Sequence, residues 1–280
     1  MNASTSTATP TVTTAPVTTE PPAVRRPRAE VAPIPFTRVL GVELRKMFDT
    51  RSGFWLMASI VILSVVATGA TIIFAPEADL DFESFASAIG IPMSVILPII
   101  AILSVTGEWS QRTGLATFTM VPSRSRVIAA KWLLTVAVGV AGMAIALGVG
   151  ALGNLIGSSI AGVDVVWNVS AREFAQIVLA NSIGMLMGFT LGVLLRSSAA
   201  GIVGYFVYSL VLPGVSSALA SNQQWWADHG AWFDLNMATY PLYDTALTSE
   251  QWAQLGVTAG IWLVLPMLVG LWAVLRSEVK

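Results

Sequence analysis

Residues 108–132 read "EWSQRTGLATFTMVPSRSRVIAAKW". Five charged side chains fall here, Glu108, Arg112, Arg124, Arg126 and Lys131, while the flanking runs 84–107 and 132–163 carry none. Each flank is longer than the roughly 20 apolar residues that a membrane-spanning helix needs. The charged stretch therefore reads as a link between two membrane spans, and the rest of the chain repeats the pattern. Four further uncharged runs, 53–75, 174–195, 197–227 and 251–275, bring the expected number of spans to six. The runs 132–163 and 197–227 exceed what a bilayer requires, so part of each must leave the hydrocarbon core.

Composition agrees. The chain is 55% hydrophobic and 11% charged, with a mean hydropathy of +0.72, against about 25% charged residues in a soluble domain. Basic and acidic residues nearly balance, 15 against 16, which leaves no electrostatic footprint for nucleic acid. Without cysteine there is no disulfide framework and no thiol chemistry. The one histidine, His229, has no acidic cluster beside it, so no metal site is expected. The expected fold is an all-α integral membrane protein: one six-span domain over 36–280, with spans near 53–75, 87–107, 132–156, 174–195, 198–219 and 252–275. Leu195-Arg196-Ser197 is so short a boundary that the fourth and fifth spans must form a hairpin.

Basic residues favour the cytoplasmic side of a membrane. With the N-terminus inside, fourteen of the fifteen lysines and arginines fall on that side, and Arg172 alone lies outside. Both termini are then cytoplasmic. Residues 1–35 are rich in Thr, Ala and Pro, cannot bury enough apolar surface to offset ordering entropy, and are expected to be disordered. They contain no apolar core of a signal peptide. Residues 36–51 differ: Phe36, Val39, Leu40, Leu44, Met47 and Phe48 share one helix face, with Arg38, Glu43, Arg45, Lys46, Asp49 and Arg51 supplying polar groups. The pattern predicts an amphipathic helix on the inner membrane surface, the plainer alternative being a basic flank that only orients the first span.

Pro92 and Pro98 in the second span, Pro213 in the fifth and Pro266 in the sixth each favour a kink. Such kinks line pathways or act as hinges, and they also occur in membrane helices with neither role. Gly184, Gly188 and Gly192 place a groove on the fourth span, suited to packing within the chain or to a dimer seam. The segment 222–250 is rich in Trp and Tyr, as at a headgroup boundary, and reads either as an interfacial anchor or as a segment dipping into the membrane.

Some chemistry is missing. A P-loop needs Gly directly before its Lys, and the three lysines here follow Arg45, Ala130 and Val279. No charged residue sits deep in a span, which argues against an ion-coupled carrier. No serine–histidine or zinc-type motif supports an enzyme. Within 108–132, Glu108 and Arg112 are spaced for a helical pair, acid first. Pro122 then separates a short helix from a basic turn, "SRSR", and Lys131 marks the edge of the third span.

Three features together resemble the permease subunit of bacterial type-2 ABC transporters: "VELRKMFDTRSGFW" leading into the first span, "GEWSQRTGLATFTMVPSRSRVIAAKW" after the second, and the six-span layout over 36–280. The resemblance implies a non-enzymatic exporter subunit of the bacterial cytoplasmic membrane. Such a subunit pairs with a second copy or a close paralogue, and with two copies of a separate ATP-binding subunit that holds the ATP and Mg. It makes the link after the second span a cytoplasmic coupling helix docked on that ATPase, with Glu108, Trp109, Gln111, Arg112 and Thr113 as coupling residues. Glu43, Arg45, Lys46 and Arg51 of the interfacial helix would make the adjoining contact. The pathway would be lined by the second and fifth spans, with Ser94, Tyr205 and Tyr208 as candidate lining residues. Uncharged spans suit a hydrophobic or amphiphilic cargo such as a drug, lipid or peptide. The alternative is a membrane scaffold or sensor that transports nothing.

Overall fold

The computed structural model describes residues 34–49, 51–110, 124–243 and 246–276. Nearly all of the Thr/Ala/Pro-rich tail and most of the charged link therefore lie outside the described residues. The described chain is all-α. Six helices are long and apolar enough to cross a membrane: α2 (Arg51–Phe74), α3 (Phe82–Ser110), α4 (Arg124–Ala161), α5 (Ala171–Leu195), α6 (Ser198–Asn222) and α9 (Ser249–Arg276). Helix α1 (Phe36–Asp49) precedes them, and the short α7 (Gln224–His229) and α8 (Leu235–Thr239) lie between α6 and α9. Such lengths suit a multi-pass membrane protein, because hydrocarbon offers no partner to a bare peptide group and a continuous helix satisfies its own.

Helices α3 and α5 form the centre. Leu97, Ile100, Met185, Phe189 and Val193 from this pair are buried together with Met143 of α4 and Val274 of α9. The glycine stripe of α5 makes the approach possible. A Cβ on Gly188 would lie 2.6 Å from the Pro98 carbonyl oxygen, and one on Gly192 would lie 3.3 Å from that of Ile102. The groove is thus filled by α3 of the same chain, which decides between the two uses open to it.

The second and third spans are longer than their apolar runs. α3 has 29 residues and α4 has 38. At the α1 end, the basic "SRSR" expected as a turn is instead helical from Arg124 onward. The reason is tertiary: Val127 and Ala130 are buried against Val39 of α1, so the first turns of α4 have an apolar surface to cover. Likewise Glu108, Trp109 and Ser110 continue α3 rather than opening a separate helix. The expected short helix beyond them, through Val121, lies outside the described residues.

The hairpin between α5 and α6 is as tight as the sequence requires. Arg196 adopts a left-handed conformation (φ 52°, ψ 24°) and its N–H donates to the Gly192 carbonyl at 3.0 Å, closing α5. Ser197 then caps α6, its Oγ accepting from the Ala200 N–H.

The prolines of α6 and α9 each leave a trace. α6 and α9 widen into π turns at Val207–Val211 and Gly260–Val264, just before Pro213 and Pro266. A proline lacks the N–H and its ring collides with the carbonyl four residues back; a wider turn relieves both. The Trp- and Tyr-rich segment folds back over this end of the bundle. Trp226 Nε1 donates to Ser216 Oγ at 3.0 Å and Trp262 Nε1 to the Phe233 carbonyl at 2.7 Å. Leu235, Ala238 and Leu242 are buried beneath it with Tyr205 and Tyr208.

Candidate functional site

Two regions bring the sequence-selected residues together, one at each end of the bundle. At the α1 end, Glu43 is only 3% exposed. Its Oε2 lies 2.6 Å from Lys131 Nζ at the start of α4, and its Oε1 lies 2.9 Å from Lys46 Nζ. Lys131 also donates to the Ser104 carbonyl of α3 at 3.0 Å. The carboxylate therefore ties α1 to α4, and Lys131 carries the tie on to α3. Glu43 faces inward, whereas Arg45 and Arg51 are exposed and Lys46 is half-exposed. The apolar face of α1 is divided: Phe36, Val39 and Leu40 pack against α4, while Leu44 and Phe48 remain exposed. Arg126 lies over the Phe36 ring, 6.0 Å from its centroid. Of the coupling residues, Glu108 and Trp109 are in the last turn of α3, and Trp109 packs against the central core. Gln111, Arg112 and Thr113 lie outside the described residues.

At the opposite end, a cavity of about 680 Å³ opens between α3, α5, α6 and the segment after α6. Ser94, Tyr205 and Tyr208 all line it. Its shape depends on Pro98. In a helix the Ser94 carbonyl would accept from the N–H of residue 98, and proline has none. Tyr205 Oη supplies the missing donor from α6 at 2.7 Å. So Ser94 contributes through its backbone oxygen, and its own hydroxyl donates to the Ile91 carbonyl. Tyr208 sits in the π turn of α6, where its carbonyl accepts from Asn236 Nδ2 at 3.2 Å. Its ring lies 6.2 Å from that of Tyr205 and 6.0 Å from that of Trp262, which occupies the π turn of α9.

A second cavity of about 340 Å³ shares Ser94, Asn181 and Tyr243 with the first and is lined by Glu83, Asn168 and Glu173 at the ends of α3 and α5. Asn168 builds that mouth. Its Oδ1 accepts from the Glu83 N–H at 3.0 Å, and its Nδ2 donates to Asp81 Oδ2 and Glu83 Oε2. No lysine, arginine or histidine is among the described residues that line either cavity.

No family model matches the chain, and no curated protein matches it significantly. The site must therefore be read from its own chemistry.

Two polar residues of the cavity stand out among those not selected from the sequence. Asn181 lies within the fourth span and is 6% exposed. Its Nδ2 donates to the Ile177 carbonyl at 2.9 Å, while its Oδ1 is buried with no hydrogen-bond donor. Asp234 is 7% exposed and caps α8 through Oδ1, which accepts from the Asn236 N–H at 2.8 Å. Asn181 carried a signal: it and Gln176 are the two amides of an uncharged, largely apolar run. Asp234 carried none, being one of many acids that lie between the apolar runs. Among the described residues, no three His, Cys, Asp or Glu side chains are grouped to hold a metal ion.

Proposed function

We propose that this chain is the membrane-spanning permease subunit of an ATP-driven exporter, working with a second permease copy and with a separate ATP-binding subunit that binds the link between α3 and α4. The observation that carries this reading is the joining of α1 to both borders of that link through the buried Glu43–Lys131 pair, in which Glu43 binds Lys131 of α4 and Lys131 donates to the Ser104 carbonyl of α3. A polar connector between two spans needs only a few residues. This one is about 24 residues long in the sequence, and its flanks are braced: Trp109 by the core, Val127 and Ala130 by α1. A braced connector can pass a push from a docked partner to α3 and α4, whereas a slack one would absorb it. The chain has no P-loop of its own, so the energy must come from another subunit. On this reading α1 lies along the cytoplasmic membrane surface, with exposed Arg45 and Arg51 and half-exposed Lys46 beside the docked ATPase. The cavity lined by Ser94, Tyr205 and Tyr208 is then part of the cargo path.

The test is co-expression with a candidate P-loop ATPase, followed by purification and measurement of ATP turnover. The wild-type chain retains the ATPase. Glu108→Ala combined with Arg112→Ala lowers transport-coupled turnover while expression and monodispersity stay unchanged. Turnover equal to wild type in the assembled complex refutes the coupling role.

A further inference from the structure

The large cavity has an unequal demand for hydrogen bonds. Asp234 is nine-tenths buried, yet its Oδ2 makes no hydrogen bond and no ion pair among the described residues; only Oδ1 is used, as the cap of α8. Asn181, which lines both cavities, holds a buried carbonyl oxygen without a donor. The amide cannot be turned to cure this, because its Nδ2 serves the Ile177 carbonyl, which can only accept. Of the lining hydroxyls, Tyr205 Oη donates to Ser94 and Ser216 Oγ to Met237 Sδ, and none of the others donates to Asn181 Oδ1 or Asp234 Oδ2. What the described lining lacks is a positive charge.

The walls ask for the same thing. Tyr205, Phe206, Tyr208, Tyr240 and Tyr243 line the large cavity, and aromatic faces attract cations in desolvated surroundings. Glu83 and Glu173 line the adjoining mouth. Arg172, next to Glu173 and drawn electrostatically to it, is exposed, and neither it nor His229, five positions before Asp234, lines either cavity. The volume, about 680 Å³, falls in the range that holds a drug-sized molecule.

We infer that this cavity binds an amphiphilic organic cation: a bulky aromatic or aliphatic body held among the tyrosines, and a positively charged nitrogen group with N–H donors directed to Asp234 and Asn181. Asp234 is the counter-ion and Asn181 the orienting acceptor. Naming the cargo rests on the exporter reading, since the same cavity is its cargo path. Binding itself needs neither ATP nor the second subunit.

The experiment uses the full chain alone in zwitterionic phosphatidylcholine nanodiscs, titrated with ethidium, a fluorescent aromatic cation with amino donors. Empty nanodiscs give the background, and an anionic aromatic amphiphile, anilinonaphthalene sulfonate, is the opposite-charge control. Saturable ethidium binding without saturable anion binding is the expected result. Asp234→Asn keeps the capping oxygen of α8 but removes the charge, and it raises the Kd for ethidium roughly tenfold or more, the scale of one hydrogen bond to a charged group. Ser217→Lys, at an exposed lining position, reverses the preference toward the anion. Absence of saturable ethidium binding, or Asp234→Asn binding ethidium as tightly as wild type, overturns the proposal. Ethidium binding by a chain that never engages an ATPase sinks the exporter reading and leaves the cation site standing; an ATPase-coupled chain without ethidium binding does the reverse.

Discussion

Tyr205→Phe tests how the cavity is held together. The substitution removes one oxygen and leaves the ring, so packing is nearly unchanged. What is lost is the 2.7 Å hydrogen bond to the Ser94 carbonyl. An ordinary hydrogen bond between membrane helices is worth only about 0.6 kcal/mol, because helices separated within the membrane find other partners, with a ceiling near 1.7. The Ser94 carbonyl is not ordinary. Its normal helical donor would be the N–H of residue 98, and Pro98 lacks one whether or not α3 is packed. Tyr205→Phe therefore falls near the ceiling, at about 1.5 kcal/mol, or roughly tenfold in the ratio of folded to unfolded protein. Pro98→Ala restores the helical donor and keeps the Cβ that faces Gly188. In that background Tyr205→Phe costs about 0.6 kcal/mol or less, a coupling of about 1 kcal/mol. Equilibrium unfolding by SDS in mixed micelles, followed by the fluorescence of the ten tryptophans, measures all four proteins of the cycle. A loss below about 0.3 kcal/mol, or equal losses in the two backgrounds, refutes the reasoning, since independent sites add within about 0.3–0.5 kcal/mol.

The same unfolding assay checks two further expectations. Lys131→Met leaves the buried Glu43 carboxylate with Lys46 alone and destabilises by about 3 kcal/mol, the lower end for a broken buried pair; pairing it with Glu43→Leu recovers most of that loss. Gly188→Val must move α5 by about 0.8 Å to bring its Cβ from 2.6 Å to ordinary contact with the Pro98 carbonyl, at a cost of about 1–3 kcal/mol. Gly184→Ala, on the same face but with nothing nearer than 3.5 Å, shifts the unfolding midpoint far less and serves as its control.

Much of the architecture was readable in advance, and the reasons are local. Run length identifies a spanning helix without reference to any neighbour, so six spans were expected and six sufficiently long apolar helices are found. The α5–α6 hairpin followed from two residues of connector. Helix ends were less legible: α4 begins at Arg124 rather than near Trp132 because α1 offers Val39 to its first turns. The direction in which Glu43 faces was hidden as well. Its position on α1 suited a polar outer face, but Lys131, 88 positions later in the chain, draws it inward.

The candidate site divides in the same way. Ser94, Tyr205 and Tyr208 were selectable by residue type and span, and they line one cavity. Asn181 and Asp234, which give that cavity its demand for a cation, acquire meaning only through neighbours from other helices. By itself, the sequence determined an all-α chain of six membrane-length helices, because the cost of bare peptide groups in hydrocarbon is set within each run. Only the tertiary structure decided that the donor removed by Pro98 is replaced by Tyr205 and that Asp234 lines the same cavity. Those are matters of distance between residues far apart in the chain, and no local pattern encodes them.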